Sequence, residues 1–246
     1  MTFTHTEPKR LYQRVALKLQ QQISAGQYRL GDRLPPEREI SETMEISRSV
    51  VREAIIMLEL QGWVEVRKGS GAYVVSESSV IQSCHVSPDT SDVGPFELLQ
   101  ARQVLESQIA GFAAMNVTKS DIDKLKQALK TENDNLASEH SDTEGDKMFH
   151  FTIAEASQNS VLSDIVKQLW RQREDSAMWH QLHSRITNQS YQKAWLDDHQ
   201  TILVALQKRD PEAARAAMWQ HLENVKETLL ALSDVDDPNF DGYLFR

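Results

Sequence analysis

The sequence predicts a mainly α-helical protein: an N-terminal winged helix-turn-helix of three helices and a β-hairpin, joined to a C-terminal antiparallel α-helical bundle. Three short helical patterns and a hairpin signal occupy the first 75 residues, and helical periodicity dominates from Pro95 onward. The sequence shows no repeat of fixed period, so we predict a helical bundle rather than a solenoid. We therefore predict a domain over 1–75, a linker over 76–94, a bundle over 95–233 and a tail over 234–246.

The N-terminal domain carries clear helix boundaries. Apolar residues recur every four positions over Leu11–Ser24, which predicts the first helix. Pro36 suits the first turn of a second helix that ends near Met44. Ser47 is a good N-cap for a third helix, and Gly62 is a good terminator for it.

A hairpin and a linker follow the third helix. Two β-like segments, Val64–Arg67 and Ala72–Val75, are joined by a short stretch containing two glycines, which predicts a β-hairpin. Residues 76–94 are rich in serine and lack a sustained period, so they are interpreted as a linker.

The remainder of the chain is predicted to be helical. Thr118 and Asp121 resemble a capping box, with Asp in place of Glu. The acidic segment 138–145 is predicted to be a mobile loop. The six predicted helices lie near 96–116, 119–137, 146–157, 160–180, 191–208 and 211–232.

The composition indicates a soluble protein of the cytoplasm. Hydrophobic residues make up 40% of the chain and charged residues 26%, and no apolar run approaches the length that spans a bilayer. The single cysteine, Cys84, excludes an internal disulfide framework and fits a reducing compartment. It is interpreted as a free thiol in the linker. A catalytic nucleophile would need a basic partner, and the sequence offers no clear one.

The charge is divided unevenly along the chain. Residues 1–75 hold 11 basic and 9 acidic residues, whereas residues 76–246 hold 16 and 27. The net charge of −9 therefore arises in the second part. Because DNA binding needs a local basic face rather than a basic protein, this distribution permits a DNA-binding N-terminal domain.

The third helix has the character of a DNA-recognition helix. Its apolar residues fall on one side at 100° per residue, while Arg48, Ser49 and Arg52 cluster on the opposite side near its N-terminal end. Arginine can contact guanine bidentately, and a hydroxyl can serve a base or a phosphate. Lys68 and Gly69 suit the tip of a wing. Any one of these arginines alone would indicate only a solvated helix face.

The order and spacing of these residues are a more specific signal for DNA binding than any single residue among them. Residues 34–39 (LPPERE), 47–54 (SRSVVREA), Gly62 and 69–71 (GSG) resemble the DNA-binding domain of the GntR family almost throughout the first 75 residues. The resemblance implies a set of DNA-contacting positions. These are Arg38, Ser47, Arg48, Ser49, Arg52, Lys68 and Gly69.

Histidine spacing in the second domain predicts a metal site. Asp146 and His150 are four residues apart and share a helix face. His199 and His221 each lie 11 residues from Asp210, so an antiparallel helix pair would bring them to the same height. Three imidazoles and one carboxylate suit Zn²⁺, Ni²⁺ or Mn²⁺. The alternative is surface or satisfied core histidines.

Further segments resemble the metal-binding, FCD-type effector domain of the FadR subfamily. They are Asp146-x-x-x-His150, Asp198-His199, and 210–214 followed by His221. Arg102 and Glu106 also fit, and the resemblance implies that Arg102 binds an effector carboxylate. A guanidinium and a metal would then hold an organic acid at two points. The alternative for Arg102 is an ordinary i,i+4 pair with Glu106.

The narrowest resemblance is to hexuronate-utilisation repressors of the UxuR/ExuR type. Residues 94–103, 218–224 and 240–245 carry it. It implies an effector such as fructuronate, glucuronate, galacturonate or a related aldonate. Arg171 and Arg173 are predicted to line the effector cavity, whereas core packing is the preferred role for nearby Trp170.

Together these features predict a transcription regulator rather than an enzyme. We expect a homodimer on a pseudo-palindromic operator, with repression relieved when the effector lowers DNA affinity through linkage. One alternative is a metal-dependent enzyme acting on a sugar acid. Another is a GntR regulator that responds to a different organic acid without a metal.

Overall fold

The computed structural model describes residues 10–67, 69–77, 92–137, 144–184 and 191–234. Predictions for Lys68, Cys84, the loop residues 138–143 and the tail from 235 onward lie outside these ranges. Within them the elements run in the order α1 Leu11–Ser24, α2 Glu37–Met44, α3 Arg48–Leu60, β1 Val64–Arg67, β2 Gly71–Val74, α4 Pro95–Asn116, α5 Lys119–Ala137, α6 Glu144–Ala156, α7 Ser160–Asp175, α8 Ala177–Ser184, α9 Tyr191–Gln207 and α10 Pro211–Leu232.

The chain forms two compact units. The first contains α1–α3, the hairpin, α8 and the described residues from Leu230 to Asp234. Helix α3 packs against α1, α2 and α8, and it buries Val51 and Leu58 in the core. Strands β1 and β2 pair antiparallel, with Val64 opposite Val74. The predicted winged helix-turn-helix is confirmed.

Helix boundaries in this unit follow the sequence signals. Ser47 is extended at the N-cap of α3, as predicted. Gly62 follows the C-cap of α3 with a φ of 73°, a left-handed conformation that glycine adopts without strain. Pro36 is the N-cap of α2 rather than its first helical residue, and β2 begins one residue earlier than predicted.

The second unit consists of α4–α7, α9 and most of α10. Helix α5 packs against α6 and α9, and α6 packs against α7. The predicted capping box precedes α5: the Thr118 backbone N–H donates to Asp121 at 2.9 Å, and the Asp121 N–H donates to the Thr118 hydroxyl at 3.2 Å. Asp210 caps α10 by accepting from the backbone N–H of Ala213 at 3.0 Å.

Two further predicted element boundaries are wrong. The helix predicted over 160–180 is broken at Ser176, whose hydroxyl accepts from the Trp179 backbone N–H and starts α8 as a separate helix. Helix α6 begins at Glu144, so Glu144 and Gly145 are helical instead of part of the acidic loop. Gly145 lies so close to α5 that a Cβ there would come within 2.7 Å of the Glu132 backbone nitrogen.

Candidate functional site

Three buried histidines meet inside the second unit. His150 of α6, His199 of α9 and His221 of α10 form the histidine cluster, in which one ring nitrogen of each lies within 4.8 Å of the others. The Nε2 atoms of His199 and His221 are 3.1 Å apart. The turn at Asp210 therefore brings these two histidines together, as their equal spacing from it predicted.

Asp146 adds an oxygen to the histidine cluster. Its Oδ1 lies 3.3 Å from His150 Nε2 and 3.8 Å from His199 Nε2. Four ligands at 2.0–2.1 Å from a tetrahedral zinc ion stand about 3.3 Å from one another. The separations in the cluster approach that value, so the donor set fits a divalent metal. His150 Nε2 is also buried without a hydrogen-bond partner among the described residues.

Each imidazole of the histidine cluster has its Nδ1 beside a carboxylate from another part of the bundle. This arrangement orients the rings and leaves Nε2 directed at the centre. The pairs are His150 with Glu106, His199 with Glu132 at 2.9 Å, and His221 with Asp198 at 3.5 Å. The sequence gives no signal for Glu132, because its partner lies 67 residues away.

Burial and neighbouring charges shift the pKa values of three of these groups in different directions. Burial, with His199 nearby, lowers the pKa of His221 to about 3, so this imidazole is neutral and has a free lone pair at neutral pH. Burial would raise the pKa of Asp146, but His150 and Arg173 hold it well below its usual range. Burial would also lower the pKa of His150, yet Glu106 and Asp146 outweigh burial and raise it.

Two buried guanidinium groups lie beside the histidine cluster. Arg102 of α4 and Arg173 of α7, here called the guanidinium pair, both stack on the Trp170 ring, at 4.5 and 4.7 Å from its centroid. Arg102 Nε donates to Glu106 Oε1 at 2.6 Å, and Arg173 lies 3.4 Å from Asp146. The indole N–H of Trp170 has no partner among the described residues.

One sequence interpretation at this site needs correction. Arg171 is exposed on α7, two residues and hence about 200° from Arg173, so it does not join the guanidinium pair. Trp170 packs in the core as preferred, but it also forms the surface on which both arginines stack.

The predicted DNA-contacting residues of the first unit differ in exposure. The Arg38 side chain is 80% exposed and pairs with Glu42, and Ser47 is exposed at the start of α3. Arg48 and Ser49 are partly exposed. Gly69 has a φ of 66° in the hairpin turn, a conformation that suits close approach of the backbone to a ligand.

Arg52 does not lie on the exposed face that helix periodicity predicted. Its side chain is 0% exposed, and its Nε donates to both carboxylate oxygens of Glu37 at 2.9 Å. Its Nη1 donates to the Ser233 hydroxyl at 2.7 Å and to the Leu230 carbonyl. A helical wheel of α3 cannot show this, because the partners come from α2 and from the end of α10.

Sequence comparison places both units in one family. The chain matches the FCD domain over residues 97–224 and the bacterial regulatory proteins of the gntR family over residues 11–74. The chain belongs to the GntR family. The chain is 56% identical to the Uxu operon regulator of Haemophilus influenzae over 96% of the chain and 88% of that protein.

Other GntR relatives match over nearly the full length. The Uxu operon transcriptional regulator of Escherichia coli is 52% identical over 98% of the chain and 95% of the relative, and the Exu regulon transcriptional regulator is 48% identical over 98% and 93%. This GntR protein is thus a DNA-binding transcription regulator and not an enzyme, as predicted. Within the described ranges, no helix is both long and apolar enough to cross a bilayer.

Proposed function

We propose that this GntR regulator represses genes of hexuronate catabolism and is released from its operator by a sugar acid carrying a carboxylate, such as fructuronate or a related uronate or aldonate. The names of the Uxu and Exu regulators support the substrate class. The observation that carries the proposal is the buried guanidinium pair beside the histidine cluster, because that combination suits a small organic anion.

The proposed metal ligands are Asp146 and the histidine cluster. A mostly nitrogen donor set with near-tetrahedral spacing favours Zn²⁺, with Ni²⁺ or Mn²⁺ as the other candidates. When bound, the metal supplies a positive centre that attracts ligand oxygens. The chain's own part is to orient the imidazoles through the carboxylates beside their Nδ1 atoms.

The proposed effector contacts are the guanidinium pair. Arg102 has one edge engaged by Glu106, and a guanidinium offers five donors in a planar fork, so donors remain for a ligand carboxylate. Trp170 offers its buried indole N–H, which suits a hydroxyl or carbonyl oxygen of the same ligand. A polyhydroxylated acid supplies both kinds of group.

The proposed DNA surface is the N-terminal end of α3 with Arg38 and the wing. Arg48 and Ser49 would reach base edges, while Ser47, Lys68 and Gly69 would serve phosphates. Arg52, buried by Glu37 and the end of α10, joins this surface only if the end of α10 moves away.

We propose that the protein binds DNA as a homodimer through α4. Val104, Phe112 and Met115 are each about half exposed and fall within about 80° of one face of this helix. Large apolar side chains on one exposed face indicate an interaction surface. A second copy is the occupant that fits, since helix-turn-helix regulators bind paired half-sites.

Operator binding at fixed salt, titrated with hexuronates and aldonates, tests the proposal. Salt is fixed because phosphate contacts make affinity depend strongly on ionic strength. We expect release by one class of sugar acid, and loss of that release in Arg102→Ala with operator affinity retained.

Arg171→Ala is the matched control, because it removes an exposed guanidinium from the same unit. Tight operator binding that is indifferent to every acid would refute the effector assignment. Release that survives in Arg102→Ala would refute the role of Arg102.

A further inference from the structure

We propose that Glu106 is a positioning residue that couples metal binding to effector binding. Its two carboxylate oxygens hold one proposed metal ligand and one proposed effector arginine. This inference rests on the proposed function, since it assigns the physical link between the two parts of that site.

The geometry of Glu106 differs from that of the other carboxylates around the histidine cluster. Its Oε1 accepts from Arg102 Nε at 2.6 Å, and its Oε2 contacts His150 Nδ1. The side chain is buried, so water does not compete for either oxygen. Glu132 and Asp198 each face a histidine, but neither forms an ion pair with an arginine among the described residues.

One carboxylate charge is therefore shared between an imidazole and a guanidinium. A cation on His150 Nε2 makes the Nδ1–H of the same ring a stronger donor and draws the carboxylate charge towards the ring. Arg102 is then less neutralised and attracts an anion more strongly.

The reverse step follows from linkage. An anionic effector on Arg102 competes with Glu106 for the guanidinium, so the carboxylate is more available to His150. A carboxylate on Nδ1 increases the basicity of the ligand nitrogen and strengthens metal binding. Metal and effector therefore each raise the affinity for the other by the same factor.

The test uses the full-length chain, stripped of metal by chelation, with Zn²⁺, D-fructuronate and D-glucuronate as probes. Calorimetry measures the affinity for each acid in the metal-free and zinc-loaded protein, and the ratio of the two is the coupling factor. We expect a wild-type factor in the range of about 5–150. In Glu106→Gln we expect that factor to fall at least fivefold.

Glu132→Gln is the matched control, since it alters the carboxylate beside His199, which forms no ion pair with an arginine among the described residues. Both variants should bind Zn²⁺ about 10- to 100-fold more weakly, but Glu132→Gln should keep the wild-type coupling factor. Glu106→Asp serves as a second variant if the Gln variant unfolds, because a shorter carboxylate cannot reach both groups. Circular dichroism reports folding.

The outcomes separate the two proposals. If both acids bind the wild type and Glu106→Gln keeps its coupling factor, the role of Glu106 is wrong and the effector site stands. An equal loss of coupling in Glu132→Gln would also overturn it. If neither acid binds the zinc-loaded wild type, the effector class fails, and the role of Glu106 fails with it.

Discussion

At the scale of single residues, the histidine cluster depends on burial as much as on spacing. His221 is neutral because burial lowers its pKa to about 3, and it faces His199 at 3.1 Å. Removing one ligand from a four-donor set costs more than disturbing its orientation. We therefore expect His221→Ala to lower Zn²⁺ affinity by more than the roughly 100-fold that loss of an orienting carboxylate can cause.

Calorimetric titration of the metal-stripped protein measures this loss directly. His180→Ala is the control, because His180 is exposed on α8 in the other unit. Wild-type zinc affinity in His221→Ala would contradict the assignment of the histidine cluster as the metal site.

A second prediction at this scale concerns Arg48. Its side chain is partly exposed at the start of α3, where a recognition helix meets the major groove. We expect Arg48→Ala to weaken operator binding by about 1–3 kcal/mol and to relax specificity at one base pair. Operator titration at fixed salt, with Lys124→Ala on α5 as the charge-matched control, measures the loss. If both substitutions weaken operator binding equally, Arg48 contributes only general electrostatic attraction to DNA and no base contact.

Spacing along the chain predicts some residue positions and not others. The equal distances of His199 and His221 from Asp210 predict their meeting, because two helices and one turn determine it. The burial of Arg52 follows instead from Glu37 and from residues about 180 positions further on. No periodicity within α3 contains that information. Glu132 was missed for the same reason.

At the scale of elements, α10 contributes to both units. It carries His221 in the second unit, and its last turn and the residues that follow belong to the first. There the Leu230 carbonyl accepts from Arg52, and the Asp234 carboxylate accepts from Arg48. The end of α10 therefore occupies donors that the proposed DNA surface requires.

This arrangement predicts that Asp234→Asn tightens operator binding. The substitution removes a carboxylate that competes with DNA for Arg48. A partly exposed ion pair is worth up to about 1 kcal/mol, which corresponds to a gain of up to roughly fivefold in affinity. Operator titration of Asp234→Asn beside Glu227→Gln, an exposed acid on α10, separates the local effect from a change in net charge. Unchanged or weaker binding in Asp234→Asn would show that the end of α10 does not compete with DNA.

The sequence pattern predicts some of the observed helix ends and not others. Predicted and observed bounds agree closely for α1, α5 and α10, whose ends carry capping residues or glycine. The pattern over 160–180 remains helical across Ser176, so periodicity alone does not reveal the break. It arises where the Ser176 hydroxyl accepts from the Trp179 backbone and donates to the Val93 carbonyl, a contact with a distant part of the chain.

At the scale of the whole molecule, the proposed repression depends on two DNA-binding heads bound to one operator. If α4 forms the dimer interface, a charge in the middle of its apolar face should separate the copies, because burying an unpaired ammonium is costly. We expect Phe112→Lys to be monomeric at micromolar concentration, measured by sedimentation. The second head would no longer bind at the high effective concentration that dimerisation gives, so operator affinity should fall by about 100-fold or more.

Val161→Lys provides the matched control, since Val161 is an exposed apolar residue on α7, outside that face. It should remain dimeric and bind the operator as the wild type does. A dimeric Phe112→Lys with wild-type operator affinity would move the interface away from α4. A Phe112→Lys protein that is monomeric but still binds the full operator with wild-type affinity would instead contradict the requirement for two linked heads. Because sedimentation and operator titration report assembly and DNA binding separately, the pair of measurements locates which step of the dimer proposal fails.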